Sequence, residues 1–274
     1  MTKAIDGTAA MGRADLHIHS AASDGIAGVD QILELVAERG DLDVIAITDH
    51  ERVDAALAAR AMARRRGYAF DVVVGEEITT RAGHLLGLFL EQPVKPFLSL
   101  RASIAAIHEQ GGLAIPAHPL VPYPLCISAR SLRPLLADAD SSVHPDALEV
   151  FNPTTAGRRW HPRVVQFAAD HGLAVVGNSD AHRPEHIGQG VTRFPGHSAA
   201  ELRAAIVGGT TTWEGDFHPP LEQVGLLGHQ VRKYARDVKA EVRGRIRRDG
   251  TGRDLGYPGG HLRPPRFEEP EAER

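Results

Sequence analysis

Residues 14–25, "ADLHIHSAASDG", decide how this chain is to be read. Side chains at i and i+2 of a strand point the same way, so His17 and His19 share one face and Leu16 and Ile18 the other. Asp24 follows in a glycine-ended loop. After it, "GVDQILELVAERG" has the apolar spacing of a helix and the glycine that stops one. Two imidazoles side by side on a strand begin a metal site. The competing reading is a pair of surface histidines on an amphipathic edge strand. The rest of the chain discriminates between them.

The same strand-loop-helix order recurs outward from this stretch. Strand candidates are "DVIAITDH", "FDVVVGEEIT", "HLLGLFL", "LAIPAH", "DALEVFN", "LAVVGNSD" and "TTTWEG". Helical stretches separate them: "VDAALAARAMARRRG", "SLRASIAAIHEQGG", "ARSLRPLLADA", "PRVVQFAADHG" and "SAAELRAAIVGG". The alternation predicts a largely parallel α/β sheet closed into a barrel, with one hairpin across the short turn "TRAG". No glycine-rich turn matches a nucleotide-phosphate fingerprint. The pattern divides the chain into an extension over 1–13, the barrel over 14–215, a basic amphipathic helix within 216–248 and a disordered tail over 249–274.

With 274 residues, 42% of them hydrophobic and 24% charged, the chain has the composition of a soluble globular enzyme. A formal net charge of −4 gives no electrostatic reason to expect duplex nucleic acid. The single cysteine, Cys126, excludes an intrachain disulfide and fits a reducing compartment. Neither a signal-peptide run nor a membrane-spanning segment is present, so a cytoplasmic location is expected.

In a β/α barrel, functional groups gather at the carboxyl ends of the strands. His17, His19 and Asp24 lie there, as do Asp49 and His50 of "AITDH" and Glu76 and Glu77 of "VVVGEEIT". His84 opens the hairpin return, His118 follows its strand in "PAHP", and "GNSDAH" supplies Asp180 and His182. Six histidines thus converge on one rim. Of the others, His108, His144, His161, His171 and His218 read as structural, whereas His186 and His197 stay unassigned. Imidazole and carboxylate ligands without thiolate suit Zn, Mn or Fe, and their number exceeds what one structural zinc needs. Arg130, Arg158, Arg159 and Arg183 fall in loops on the same rim as candidate phosphate contacts, Arg158 and Arg183 leading. Asn152 ends its strand and can orient a ligand or a water; Glu149 lies deeper.

"DLHIHSAASDG", "ITDH", "GEEI", "GHLLG", "PAHP" and "NSDAH", in this order from Asp15 to His182, resemble the PHP (polymerase and histidinol phosphatase) superfamily of metal-dependent phosphoesterases. The resemblance implies a distorted (β/α)7-type barrel holding up to about three divalent metals. Carried over by position, one metal takes His17, His19, a shared glutamate and Asp180, and a second takes that glutamate with His84 and His118. Asp24, His50 and His182 take the third. The family glutamate follows Gly-x, which selects Glu77; alternation agrees that only one of Glu76 and Glu77 faces the metals.

Hydrolysis of a small phosphomonoester by a metal-bridging hydroxide is therefore expected, with Asp180 and His182 in the reaction and His182, Asp49 or a metal-bound water protonating the leaving group. A diesterase or exonuclease acting on nucleoside bisphosphates or short oligonucleotides is the main rival. It is disfavoured because "HLLGLFLEQPVKPFLSL" lacks the long insertion that such members carry. An amidohydrolase-type barrel and a non-catalytic metal-binding module are weaker rivals. The expected partner is a small phosphorylated substrate, with no membrane.

Overall fold

The computed structural model describes residues 10–218, and the basic helix and tail expected beyond them lie outside the described residues. In chain order the strands are β1 Met11–Ile18, β2 Val44–Ile47, β3 Asp71–Thr80, β4 Gly83–Leu88, β5 Leu113–Pro116, β6 Ala147–Phe151, β7 Ala174–Gly177, β8 Gly190–Pro195 and β9 Thr212–Gly215. The helices are α1 Val29–Arg39, α2 Asp54–Arg66, α3 Leu100–Glu109, α4 Ala129–Leu136, α5 Thr155–Asp170 and α6 Ala199–Val207. Seven strands form one curled sheet in the order β5-β4-β3-β2-β1-β8-β9, while β6 and β7 pair only with each other.

The α/β barrel architecture expected from the sequence is present as a curled half-barrel sheet, but it is not largely parallel: β1–β2, β2–β3 and β6–β7 are parallel, whereas β1–β8, β3–β4, β4–β5 and β8–β9 are antiparallel. β8, "GVTRFP", does not stand out as a strand in the sequence, yet it runs antiparallel to the first half of β1. β7 is thereby kept from a full ladder with β1. The seam is closed by side chains and by one bridge at the carboxyl rim, where His19 N donates to Ala181 O and Ala181 N to His17 O. Thr192 Oγ1 holds Gly177 from both sides, and Asp15 accepts from Ser179 N, Ser179 Oγ and Gly188 N.

Strict alternation along β1 also fails. Asp15 pairs with Ile45 but Ile18 with Ile47, so β1 carries an extra residue between them, a bulge. Leu16 packs with Ala14, Ala46, Leu86, Ile115 and Phe194 inside the barrel, above Leu202, Ala205 and Ile206 of α6. Ile18 instead joins the outer layer with Ile32, Leu33 and Val36 of α1. The bulge lets an apolar floor sit beneath His17 on the same side of the sheet.

The helices carry ordinary stop and start signals. Gly40 and Gly67 take left-handed conformations after α1 and α2, and Ser99, Ser128, Thr154 and Ser198 cap α3, α4, α5 and α6. The Thr154 cap starts α5 six residues before His161, where the sequence suggests the helix opens. Arg158 and Arg159 therefore sit in the first turns of α5 and Arg130 at the start of α4, rather than in loops. No helix among the described residues is long and apolar enough to cross a membrane.

Candidate metal centre

At the carboxyl rim, above the apolar floor, His17, His19, Asp24, Glu77, His84 and His182 are buried and His50 and His118 nearly so. Several are set by backbone geometry. A parallel bridge pairs His50 with Glu77, placing the end of β2 beside the middle of β3. The antiparallel register of β3 and β4 returns the chain at His84. His118 and Asp180 have positive φ (32° and 51°), sharp turns just past β5 and β7. Such conformations in residues other than glycine persist where the surroundings enforce them, and they concentrate at functional sites.

Glu77 sits at the centre. Its Oε2 lies 3.3 Å from His17 Nε2, 3.2 Å from His19 Nε2 and 3.4 Å from His50 Nδ1. Its Oε1 faces the other way, 2.7 Å from His84 Nδ1 and 3.1 Å from His118 Nε2. Asp180 Oδ1 stands 3.4 Å and 3.3 Å from the Nε2 atoms of His17 and His19. Asp24 meets His19 through Oδ1 at 3.3 Å, and through Oδ2 meets His182 Nε2 at 3.0 Å and His50 Nε2 at 3.5 Å. Three overlapping groups result, each with ligand atoms within 4.8 Å of one another: His19, Asp24, His50 and His182; His17, His19 and Glu77; His50, Glu77 and His84.

These donors fit cations better than they fit one another. His17 Nε2, both ring nitrogens of His19 and His84 Nδ1 are buried without an aligned hydrogen bond, although carboxylate oxygens lie close. Buried polar atoms left so are costly, whereas imidazole lone pairs and carboxylates aimed at a common point are what a divalent ion requires. Without a cation the site compensates by charge. Burial alone pushes the His17 imidazole down, but Asp180, Glu77 and Glu149 raise it to about 10. Burial likewise opposes charge on His19, and Asp24 and Asp180 hold it well above its ordinary value. Burial opposes charge on Glu77 and Asp180, yet the facing imidazoles, led by His84 and His17 respectively, keep both well below the usual carboxylate range.

Glu76 points out of the barrel, as alternation requires. Its Oε2 accepts from Val94 N, and burial raises its carboxyl to about 8. Asp49 is not brought into the cluster. Its oxygens accept from Ser20 N, Ser20 Oγ and Ser23 Oγ, so it shapes the loop that carries Asp24. Asn152 is engaged by protein: its Nδ2 donates to Asp180 Oδ2 at 3.2 Å and its Oδ1 accepts from Thr154 N. Of the arginines, Arg183 pairs with the exposed Glu185, while Arg130 and Arg158 are exposed. Among residues read as structural, His161 packs on Phe151, Trp213 and Phe217. His218 packs against His186 with the rings tilted and their centroids 4.4 Å apart, and its N donates to Pro153 O beside Asn152. Glu149 lies buried behind this rim; a carboxylate in "ALEVF", flanked by apolar residues, is the one sequence signal that the strand's inner face is not purely core.

A curled α/β sheet with six imidazoles and three carboxylates on its carboxyl rim defines a barrel protein whose rim carries His/Asp/Glu clusters able to bind metal. Known proteins say which. Residues 158–211 match the PHP-associated family model. A relative from Methanocaldococcus jannaschii, itself uncharacterized, is 34% identical over 151 residues, 51% of this chain and 81% of the relative. A phosphoribosyl 1,2-cyclic phosphate 1,2-diphosphodiesterase of Eggerthella lenta is 36% identical over 95 residues, 32% of this chain and 35% of the relative. A 3',5'-nucleoside bisphosphate phosphatase of Chromobacterium violaceum is 33% identical over 103 residues, 36% of this chain and 34% of the relative. The chain thus spans about a third of each of these two enzymes. Among solved structures, a two-domain Bacteroides vulgatus protein containing a predicted PHP-like metal-dependent phosphoesterase superposes with a TM-score of 0.60 at 20% identity, over 75% of this chain and 65% of that one. The chain belongs to the PHP superfamily.

Proposed function

We propose that this chain is a metal-dependent phosphoesterase that hydrolyses small phosphomonoesters. The observation that carries the proposal is the two-sided placement of Glu77, one oxygen toward His17 and His19 and the other toward His84 and His118. A carboxylate so placed could serve two cations. His17, His19, Glu77 and Asp180 would hold one ion, Glu77, His84 and His118 a second, and Asp24, His50 and His182 a third. Bound divalent ions supply Lewis acidity toward phosphoryl oxygens and acidify water near neutral pH. Mn, Zn and Fe suit the donor set.

The chain's own residues do the rest. Asn152 turns the Asp180 carboxylate toward the imidazoles through its amide. Arg158, in the first turn of α5 and a few residues beyond Asn152, is the leading phosphate contact; Arg183 is already paired with Glu185. The monoester preference is supported by the connection from β4 to α3, residues 89–99, which leaves little protein to grip a nucleobase or follow a polynucleotide. The Eggerthella relative, named for a diesterase, favours a second reading in which a phosphodiester is cleaved, whereas the Chromobacterium relative, named for a bisphosphate phosphatase, fits monoester cleavage.

One comparison tests both readings. The Mn- and Zn-loaded protein is assayed on p-nitrophenyl phosphate, mononucleotides, a dinucleotide and an oligonucleotide at equal salt, since polyanion binding weakens as salt rises. Higher kcat/KM on monoesters, lost on chelation, is expected. Release of mononucleotides from the oligomer faster than phosphate from any monoester supports the second reading. Full activity in protein shown by elemental analysis to be metal-free overturns both.

A further inference from the structure

Behind the centre, on the inner face of β6, the Glu149 carboxylate is 1% exposed and accepts hydrogen bonds from three directions. His17 Nδ1 lies 3.0 Å from Oε1, and Asn178 Nδ2 donates to the same oxygen at 2.8 Å. His118 N donates to Oε2 at 2.6 Å, with Asn152 Nδ2 at 3.5 Å from that oxygen. On the proposed assignment, His17 and His118 serve different ions. Glu77 links the two residues from the front, and Glu149 links them from behind.

We infer that Glu149 is a positioning residue that sets the tautomer of His17 and the seat of His118, and so the spacing of the two ions that Glu77 joins; the inference rests on the proposed metal-binding function. Two physical arguments support it. A neutral imidazole that gives its Nδ1 proton to a carboxylate presents the Nε2 lone pair on the opposite side. His17 Nε2 is the atom that lies buried, without a hydrogen bond, toward Glu77 and Asp180. The second argument concerns His118, whose φ of 32° is a strained turn that needs an external restraint. The bond from its N–H to Glu149 supplies one at the residue itself. β6 has no ladder with β1 or β5 and only one backbone bond to β5, from Asp146 N to Ala114 O below the rim, so near the centre this side chain is what ties β6 to His17 and His118.

The chemistry demands a carboxylate. Four donors converge on two oxygens, and only a group accepting at both can satisfy them. A glutamine is the same size but turns an NH2 toward one set of donors. The test uses Zn titration of the wild type and Glu149→Gln by chelator competition, with bound Zn counted after gel filtration. Two-bond 1H–15N spectra of the histidines in the Zn-loaded proteins report the His17 tautomer. In the wild type, His17 carrying its proton on Nδ1 is expected. In Glu149→Gln, Zn affinity should fall about 10–100-fold, with fewer ions retained. A merely structural role would lower the melting temperature and leave affinity and tautomer unchanged, and that result overturns the inference. If Glu149→Gln does not fold, the wild-type spectrum decides: His17 protonated on Nε2 overturns the inference and Nδ1–H supports it. A wild type that binds no Zn, Mn or Fe overturns the proposed function, and this inference with it; one that binds metal while Glu149→Gln binds it equally well overturns this inference alone.

Discussion

Adjacent glutamates on one strand meet opposite fates here, and the contrast is testable. Glu77 faces five imidazole nitrogens within 3.4 Å. Glu76 faces the outer layer and caps Val94 N. Glu77→Gln should abolish turnover and metal retention, because it removes a charge shared by two ions, whereas Glu76→Gln should keep both within a few-fold; activity assays and elemental analysis check this. Glu76→Gln has its own signature in stability. With its carboxyl raised to about 8 by burial, Glu76 holds a proton in the native state that the unfolded chain releases near its ordinary value of 4.5. Native protein therefore binds more protons between these values, and stability falls as pH rises through that window. Thermal melts of metal-free protein from pH 5 to 9 should show a steeper decline for the wild type than for Glu76→Gln.

The β3–β4 hairpin is the element that delivers both Glu77 and His84, and its turn depends on a glycine. Gly83 has φ 134°, and a Cβ there would lie 2.6–2.8 Å from backbone atoms of Leu125, Cys126 and Ile127. That segment also receives His84 N at Leu125 O and sets Cys126 Sγ 3.3 Å from His118 Nδ1. Gly83→Ala should destabilise the protein by about 1–3 kcal/mol, the cost of a disallowed conformation. It should also weaken metal binding by displacing His84 and His118 together. Chemical denaturation and metal titration read the two effects separately. The hairpin was legible because "TRAG" separates two apolar runs. β8 was not: "GVTRFP" is short and ends in proline, and only pairing with β1 makes it a strand.

Protons and metal ions compete for the assembled centre. In the metal-free protein the carboxylates hold a proton on His17 up to about pH 10 and keep His19 protonated well above the ordinary imidazole value, and Cys126 together with Glu77 does the same for His118. A cation must displace these protons, so apparent metal affinity should rise with pH between about 6 and 9. The metal-free protein should respond in the opposite sense. A histidine with a raised native pKa contributes stability below about 6.5, and that contribution is lost as pH rises through its native value. Chelator-competition titrations and melts over one pH series should therefore show metal affinity rising while metal-free stability falls. Parallel trends would contradict this account of the charges.

Much of this centre was written locally. The i, i+2 spacing of His17 and His19 and the strand-end positions of His50, His118 and Asp180 follow from periodicities that a sequence carries. These were enough to identify the rim and to show that only one of Glu76 and Glu77 faces it; the choice of Glu77 came from the resemblance, whose glutamate follows Gly-x. The tertiary structure decided what depends on contacts between distant residues. The bulge in β1 turned Leu16 inward, against simple alternation, because the register with β2 is a property of the pair of strands. Asp49, a candidate proton donor from its place at the end of its strand, is drawn off by Ser20 and Ser23 of another loop. Arg158 and Arg159 moved from loop to helix because Thr154 caps α5 early. Glu149 appears in the sequence as a lone charge in an apolar strand; its bonds to His17 and His118 exist only once three strands have met. Strand periodicity sets the direction in which a side chain points, and packing determines what it meets there.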